Sequence, residues 1–165
     1  MKIIKHNPTA LTLEIPSKST HKQAIMLSSD IHYDSAVCDL SLFEKHLRIA
    51  EELQGPILIA GDLLDAMQGK HDPRKRPEEL KAQYNVSAYY DAIAMDAAKF
   101  LSKFDVPMYI LCLGNHETGV LNHSNTDLLG NVAYQLRVEY GKEAIAMGYW
   151  GYLRVMFKYR KGSGN

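Results

Sequence analysis

The sequence contains only two cysteines, Cys38 and Cys112, among its 165 residues. Two thiols cannot form a framework of several disulfides or a four-cysteine zinc site, and such low use of cysteine is typical of a reducing compartment. The chain also lacks any apolar run approaching the ~18 residues that a membrane-spanning helix requires. Its N-terminus carries charge but no continuous apolar stretch of the kind a signal peptide has. These absences predict a cytoplasmic protein with no membrane partner.

An excess of charge of one sign is missing as well. Lys and Arg total 19 and so do Asp and Glu, which makes the formal net charge zero. No global basic field therefore marks a nucleic-acid-binding protein. The hydrophobic fraction of 46% and the charged fraction of 23% are typical of one soluble domain with a substantial core.

Several common catalytic motifs are absent. The sequence has no Gly-x-x-x-x-Gly-Lys phosphate loop, no Gly-x-Ser-x-Gly elbow, no dinucleotide-binding glycine pattern and no His-Glu-x-x-His pair. Kinase, serine hydrolase, dehydrogenase and zinc protease functions therefore have no support in the sequence.

Strand patterns and helix patterns alternate along the chain. Strands are predicted at residues 10–15, 24–27, 57–60 and 108–113, and the strand pattern returns from residue 144. The run at 24–27 is continuously apolar, which is typical of a fully buried parallel strand. The last strand is predicted to be antiparallel and to form the edge of its sheet. Alternation of this kind predicts an α/β fold with a parallel or mixed sheet.

Three predicted helices separate these strands. The first has capping-box spacing, with Ser41 at the N-cap and Glu44 three residues later. The second is predicted to start at Pro77 and to continue to about Phe104. The third follows the capping residues at 125–127.

A polar cluster follows each of three predicted buried strands. The clusters are Asp30-Ile31-His32, Gly61-Asp62-Leu63-Leu64-Asp65 and Gly114-Asn115-His116-Glu117. Ligands of α/β sheets bind outside the carboxyl ends of the strands, and neighbouring parallel strands would bring these clusters to one edge. The sequence therefore predicts a site there.

The side chains of these clusters are suited to divalent metal ions. Asp30 and His32 are two residues apart, so both can point to the same side of an extended chain. Asp62 adds a carboxylate that can bridge two ions, and Asn115 offers a neutral oxygen. Oxygen and nitrogen ligands without thiolate favour manganese, iron, zinc or magnesium. Two such ions about 3.5–4 Å apart activate water as a hydroxide for attack on phosphorus, and His116 is then placed to act as general acid.

The three clusters, in this order and after buried strands, resemble the motifs of the calcineurin-like metallophosphoesterase family. The resemblance covers roughly residues 24–120. It implies an α/β fold in which a sandwich of two mixed β-sheets is flanked by helices. It also implies two divalent metal ions, with manganese first and iron, zinc or magnesium as alternatives.

The resemblance implies a role for each residue of the clusters. Asp30 and His32 would bind the first metal, and Asp62 would bridge both metals. Asn115 would bind the second metal and contact a phosphate oxygen. His116 would protonate or stabilise the leaving group, and Asp65 would orient His116.

One part of the family pattern is missing. Family members carry a further His and a Gly-His-x-His motif on the second sheet, whereas none of the seven histidines here lies after His123. The expectation is therefore a single domain over residues 1–165 that lacks its C-terminal portion, with an incomplete second sheet and an incomplete second metal site. His71 and His123 flank the motif loops and are alternative ligands.

The expected substrate is a phosphate ester, either a monoester or a diester. A nucleotide or nucleic acid is an analogy drawn from the family. Ala66 follows Asp65 where the protein-phosphatase branch has an arginine, which disfavours Ser/Thr phosphoprotein phosphatase activity. The insert that contains Tyr84, Tyr89 and Tyr90 is similar to that of family members from phage genomes.

Some features have a second interpretation. The basic run Arg74-Lys75-Arg76 is expected to be a solvated loop, or else to attract phosphate groups over the site. The insert tyrosines are expected to pack in the core and at its margin, with base stacking as the alternative. For the whole chain, the alternative to an enzyme is a catalytically inactive, truncated remnant that acts as a binding or assembly module through an exposed sheet edge. The sequence leaves the oligomeric state open.

Overall fold

The computed structural model describes residues 1–17, 22–69, 72–73 and 75–159, and these form a mixed α/β fold with two β-sheets and four α-helices. The strands are β1 (Lys2–Asn7), β2 (Ala10–Ser17), β3 (Met26–Ser28), β4 (Ile57–Ala60), β5 (Tyr109–Cys112), β6 (Ala144–Met147) and β7 (Tyr152–Tyr159). The helices are α1 (Leu40–Glu52), α2 (Tyr89–Leu101), α3 (Asn115–Ser124) and α4 (Leu128–Val138).

The larger sheet has the order β3-β4-β5-β6, and all its neighbouring strands are parallel. One face carries Ile57, Ile59 and Leu111 against the apolar sides of the helices, in the main hydrophobic core. Apolar runs suit these strands because helices cover this face, and burial of such side chains is the main favourable contribution to folding.

The smaller sheet has the order β1-β2-β7 and covers the opposite face of the larger sheet. Strand β1 is antiparallel to β2, whereas β7 is parallel to it. Leu11 and Leu13 of β2 are fully buried, and Leu11 packs with Ile110 of the larger sheet. The architecture is therefore two packed sheets with helices on one outer face, as the α/β class expected from the sequence requires.

Two strands differ from the sequence-based expectation. The strand predicted at 24–27 is Met26–Ser28, and it lies at the edge of its sheet with Leu27 72% exposed. The prediction of full burial was wrong because no described strand lies beyond β3. Strand β7 is parallel to β2, not antiparallel, because its partner is a strand distant in sequence rather than the preceding one.

The helix predicted from Pro77 to Phe104 is two short 3₁₀ turns, Pro77–Glu79 and Ala82–Tyr84, followed by α2. Tertiary contacts break it, since Leu80 forms an antiparallel bridge with Ser35 and the Tyr84 hydroxyl donates to Asp96 at 2.5 Å.

The capping box at Ser41 was also a wrong prediction. Helix α1 is capped by Asp39, whose side chain accepts from the N–H of Leu42.

Within the described residues, no helix is both long enough and apolar enough to cross a membrane.

Candidate metal centre

The carboxyl ends of β3, β4 and β5 lie side by side and form one edge of the larger sheet, which we call the carboxyl edge. The chain leaving β3 pairs with the chain leaving β4 through backbone hydrogen bonds from Asp30 to Gly61 (3.2 Å) and from His32 to Asp62 (3.1 Å). Register between parallel strands therefore continues into the loops, which brings the first two predicted clusters together.

Three predicted metal ligands have left-handed backbone conformations. The φ angles are 54° for Asp30, 50° for His32 and 51° for Asp62. Such angles are uncommon for residues other than glycine, and strain of this kind concentrates at functional sites because the surrounding structure has to impose it. Asp30 and His32 are therefore not in the extended chain that the sequence predicted, and these turns, rather than strand alternation, accompany their grouping with Asp62.

The third cluster is joined to the second through the first turn of α3. The N–H of His116 donates to Asp62 Oδ1 at 3.0 Å, so the Asp62 carboxylate satisfies a helix N–H that Gly114 cannot cap. A Cβ on Gly114 would lie 2.1 Å from Asp62 Oδ1. Glycine is therefore required here by close approach, and the result is direct contact between the ends of β4 and β5.

Glu117 stabilises the same contact between the ends of β4 and β5. Its side chain is fully buried and accepts from the backbone N–H groups of Gly114 (2.9 Å), Asp62 (3.2 Å) and Leu64 (2.9 Å). Burial raises the pKa of this carboxyl, although the N–H donors oppose that shift. The side chain fixes the positions of two loops, so it acts on the site through them.

Asp34 also connects loops of the site through its buried side chain. Its buried carboxylate accepts from the N–H of Asp65 (2.6 Å), the N–H of Ala66 (3.1 Å) and the hydroxyl of Tyr89 (2.6 Å). Burial raises the pKa of Asp34 and of Tyr89. These bonds connect the loop after β3, the loop after β4 and helix α2, and thereby position Asp65. The neighbouring Tyr84 is also buried, so two of the insert tyrosines are core residues as expected.

Two groups of side chains at the carboxyl edge could each hold a metal ion. The first is Asp30, His32 and Asp62, and the second is His32, Asp65 and His116; in each, the donor atoms lie within 4.8 Å of one another. Carboxylate oxygens and imidazole nitrogens suit manganese, iron, zinc or magnesium. His32 Nδ1 is buried and makes no well-aligned hydrogen bond among the described residues, although it lies 3.3 Å from Asp65 Oδ1. Because the nitrogen faces carboxylates without a well-aligned donor–acceptor pair, the donor set is compatible with a divalent ion.

Negative charge around His32 affects its protonation. Nδ1 lies 3.3 Å from Asp65 Oδ1, and the Asp65 carboxylate is the main reason that the pKa of His32 is raised above its usual value of 6.5. Burial opposes this effect, and Asp62 and Asp30 add to it. The ring is therefore set among carboxylates that also attract a cation.

His116 contacts Asp65, the residue to which the resemblance assigns its orientation, chiefly through the Asp65 backbone. Its Nδ1 lies 2.6 Å from the Asp65 carbonyl oxygen and 3.6 Å from the Asp65 carboxylate. A carbonyl only accepts, so Nδ1 carries a hydrogen and Nε2 is the nitrogen that can exchange a proton. The His116 and His32 rings are in edge contact, with centroids 4.6 Å apart.

An open cleft of about 360 Å³ lies against this group. Asp30, His32, Asp65 and His116 line it, together with Cys38 and other residues of the loops after β3 and β4. A substrate in the cleft can therefore reach both the candidate ligands and the candidate general acid. Burial raises the pKa of the Cys38 thiol, which disfavours the thiolate form that a nucleophile needs.

Three other predicted ligands remain, of which the structure describes two. Asn115 is exposed at the start of α3, and its side chain makes no hydrogen bond with the described residues. His123 is exposed on the same helix and joins neither group in the described part of the chain. His71, the other alternative ligand, lies outside the described residues, as does Arg74 of the basic run.

Sequence reasoning missed two structural residues of the site, Asp34 and Glu117. Glu117 was seen as part of the third cluster but given no role. Its position at the third residue of a helix that starts with glycine was the available signal. Asp34 had no comparable signal, because its three donors are distant in sequence.

Comparison of the chain with known proteins found no match. No family model matches the chain, and neither the curated proteins nor the solved structures include a match. The resemblance to metallophosphoesterases therefore stays a prediction based on the motifs.

Proposed function

We propose that the protein is a metal-dependent hydrolase of phosphate esters. The observation that carries the proposal is the convergence of five side chains at the ends of three parallel strands, where Asp62 groups with Asp30 and His32, and where Asp30, His32, Asp65 and His116 line one cleft. Buried histidine and carboxylates alone are common in structural networks. Here the left-handed backbone of three members and the crowding of carboxylates around His32 favour a ligand-binding role.

The side chains divide into two roles. Asp30, His32 and Asp62 hold a divalent ion, with manganese first and iron, zinc or magnesium as alternatives. A bound divalent ion polarises a phosphoryl oxygen and lowers the pKa of water. Asn115 and Asp62 are the expected ligands of a second ion, whose site lacks further histidines in this sequence.

His116 would serve as the general acid. Its Nδ1–H is held by the Asp65 carbonyl, so Nε2 is the atom that donates a proton to the leaving oxygen. A positioned acid of this kind contributes about 10²- to 10⁴-fold to the rate.

The test is manganese-dependent hydrolysis of p-nitrophenyl phosphate and bis-p-nitrophenyl phosphate. The purified chain is treated with EDTA, dialysed and titrated with Mn²⁺. Hydrolysis that is lost with EDTA and restored by Mn²⁺ supports the proposal. Saturable Mn²⁺ binding without turnover of either ester argues against it.

A second candidate function is a binding or assembly module, and an open sheet edge favours it. No described strand lies beyond β7 in its sheet. Leu27 is in register with Leu58, which packs between the sheets, yet Leu27 is 72% exposed. Val155 is in register with the fully buried Leu13 and is 37% exposed. Each sheet therefore leaves an inward-facing apolar side chain exposed, and such edges are prone to pair with another strand.

Light scattering at several protein concentrations tests this candidate. Concentration-dependent assembly that Val155→Lys abolishes, in a chain without hydrolytic activity, would favour the module. A monomer that hydrolyses bis-p-nitrophenyl phosphate excludes it.

A further inference from the structure

We propose that the outer face of the smaller sheet binds single-stranded nucleic acid, with Trp150 and Tyr152 stacking on bases and Arg154 contacting phosphate. The inference does not depend on the proposed hydrolase function, because these three residues neither line the cleft nor belong to a candidate metal group. It depends on the exposed aromatic rings, on the backbone that holds them and on the charge of this face.

Alternate residues of β7 point away from the larger sheet. Leu153 packs in the core between the two sheets. Successive side chains of a strand point to opposite faces, so Tyr152, Arg154 and Lys158 lie on the outer face. Tyr152 is 72% exposed, which shows that this face is open to solvent. The row from Tyr152 to Lys158 extends about 20 Å, enough for several nucleotides of an extended strand.

Three aromatic side chains are exposed where β7 begins. Tyr149 is 61% exposed and Trp150 is 64% exposed, and both are close in sequence to the exposed Tyr152. The rings of Trp150 and Tyr152 are in edge contact, with centroids 6.2 Å apart. A cluster of exposed apolar rings beside polar residues is typical of a surface that binds another molecule.

The turn that carries these rings is fixed to the turn between β1 and β2. The N–H of Tyr152 donates to the Thr9 carbonyl at 2.7 Å, and the N–H of Thr9 donates to the Asn7 side chain at 2.9 Å. A Cβ on Gly151 would lie 2.7 Å from the same Thr9 oxygen, so glycine is required here by close approach. Because the backbone is held in place, less entropy is lost when the rings are ordered against a ligand.

The outer face is positively charged, although the whole chain has no net charge. Its cations are Lys2, Arg154 and Lys158, and Glu14 is the only carboxylate in the three strands of this sheet, which the structure describes in full. Lys158 Nζ lies 3.0 Å from Glu14 Oε1, and Lys2 is in register with Glu14. Arg154 forms no ion pair with the described residues, so its guanidinium is available. The charge of this face therefore complements a polyanion.

Aromatic rings beside cations favour a single strand among polyanions. Unpaired bases offer flat faces to Trp and Tyr rings, and cations alongside hold the backbone. In a duplex the bases are stacked on one another and offer only their edges, which lie in the grooves. An anionic membrane would require an apolar surface that enters the headgroup region, whereas Arg154 and Glu14 lie within this face. The partner we infer is a single-stranded segment of DNA or RNA.

Trp150 is the only tryptophan of the chain, so tryptophan fluorescence reports on this surface alone. The full chain is titrated with an oligothymidine of about 15 nucleotides, close to the size of one such site. EDTA is present so that metal-dependent hydrolysis cannot consume the probe. We expect saturable quenching of the fluorescence, and binding that weakens with salt by about 0.7 logarithmic units per tenfold salt for each phosphate contacted.

Variants are compared by the fluorescence anisotropy of a labelled oligothymidine, with circular dichroism to show that each is folded. Trp150→Ala should weaken binding by about 10-fold or more, and Trp150→Phe should weaken it less because a ring remains. Arg154→Ala should lower the salt dependence by about 0.7, the contribution of one phosphate. The controls Tyr134→Ala and Lys99→Ala, at exposed positions of α4 and α2, should bind as wild type does.

An abasic oligomer of the same length separates stacking from attraction between charges. It keeps the phosphates and lacks the bases, so we expect it to bind about 10-fold more weakly. Equal affinity for the two oligomers would overturn the inference, and so would equal affinity in Trp150→Ala and Tyr134→Ala. Binding to vesicles of anionic phospholipid, with no binding to oligothymidine, would assign the face to a membrane instead. Failure to hydrolyse phosphate esters would contradict the proposed function and leave this inference standing.

Discussion

The backbone N–H of His116 donates to the Asp62 carboxylate across 54 residues of sequence, at a distance of 3.0 Å. This bond joins the end of β4 to the first turn of α3. It uses Oδ1 of Asp62, and no described residue donates to Oδ2. One carboxylate can therefore position the candidate general acid and still ligate a metal.

Replacing His116 separates a catalytic role from a metal-binding one. We expect His116→Ala to lower kcat by about 10²- to 10⁴-fold, because the leaving oxygen loses its proton donor. Mn²⁺ affinity should change little, since Asp30, His32 and Asp62 remain. The matched control is His123→Ala, an exposed histidine on the same helix. A large loss of Mn²⁺ affinity in His116→Ala would instead make His116 a ligand in the group with His32 and Asp65.

Gly114→Ala tests the close approach of β5 to Asp62. The added Cβ would lie 2.1 Å from Asp62 Oδ1 and 2.3 Å from the Asp62 backbone nitrogen, so Asp62 has to move. Displacing a ligand in this way should weaken Mn²⁺ binding by about 10-fold or more, measured by calorimetry. Gly148→Ala is the control, because its nearest atom is the Trp150 carbonyl oxygen at 4.0 Å. Equal Mn²⁺ affinity in the two variants would show that the contact does not position Asp62.

The charge of His32 predicts how metal binding depends on pH. The pKa of His32 is raised above 6.5 in the metal-free protein, mainly by the Asp65 carboxylate. A protonated imidazole cannot ligate a metal, so Mn²⁺ affinity should fall as the pH is lowered through this raised pKa. Titrations in buffers of different ionisation enthalpy should show proton release on binding below that pKa. The exposed His46 provides the control His46→Gln, which should keep the pH dependence. Release of no protons at any pH would exclude His32 as a ligand.

Glu117 should contribute to the free energy of unfolding, although it does not line the cleft. Glu117→Gln places an NH₂ group where backbone N–H donors need an acceptor, which leaves at least one buried donor unsatisfied. The expected loss is about 1–3 kcal/mol in the free energy of unfolding, measured with urea. Glu52→Gln, on an exposed position of α1, should change it by less than about 0.5 kcal/mol. The same stability in both variants would show that the three Glu117 bonds do not contribute.

Local patterns predicted the parts of the fold that local interactions determine. The strands at 57–60 and 108–113, and the helix capped by Asp127, formed where the apolar periodicity and caps indicated. The long helix from Pro77 did not form, because Leu80 pairs with the distant Ser35 and Tyr84 contacts Asp96, which a continuous helix would hold about 18 Å away.

In the candidate site, too, the sequence pattern predicted some residues, whereas others depend on contacts between distant parts of the chain. The clusters after three parallel strands predicted that Asp30, His32, Asp62, Asp65 and His116 would meet, because parallel strands place their carboxyl ends together. Asp34 could not have been identified in this way. Its three partners are brought to it only by packing of α2 and the loop after β4.

The most direct test of the account is Mn²⁺ binding by Asp62→Asn, compared with wild type and Asp127→Asn. Asparagine keeps an oxygen that can accept from His116, so α3 should remain in place while the charge of the ligand is lost. Asp127→Asn makes the same change at the cap of α4, away from both metal groups. We expect Asp62→Asn to lose Mn²⁺ binding and hydrolysis together, and Asp127→Asn to keep both. Equal Mn²⁺ affinity in wild type and Asp62→Asn would contradict the account.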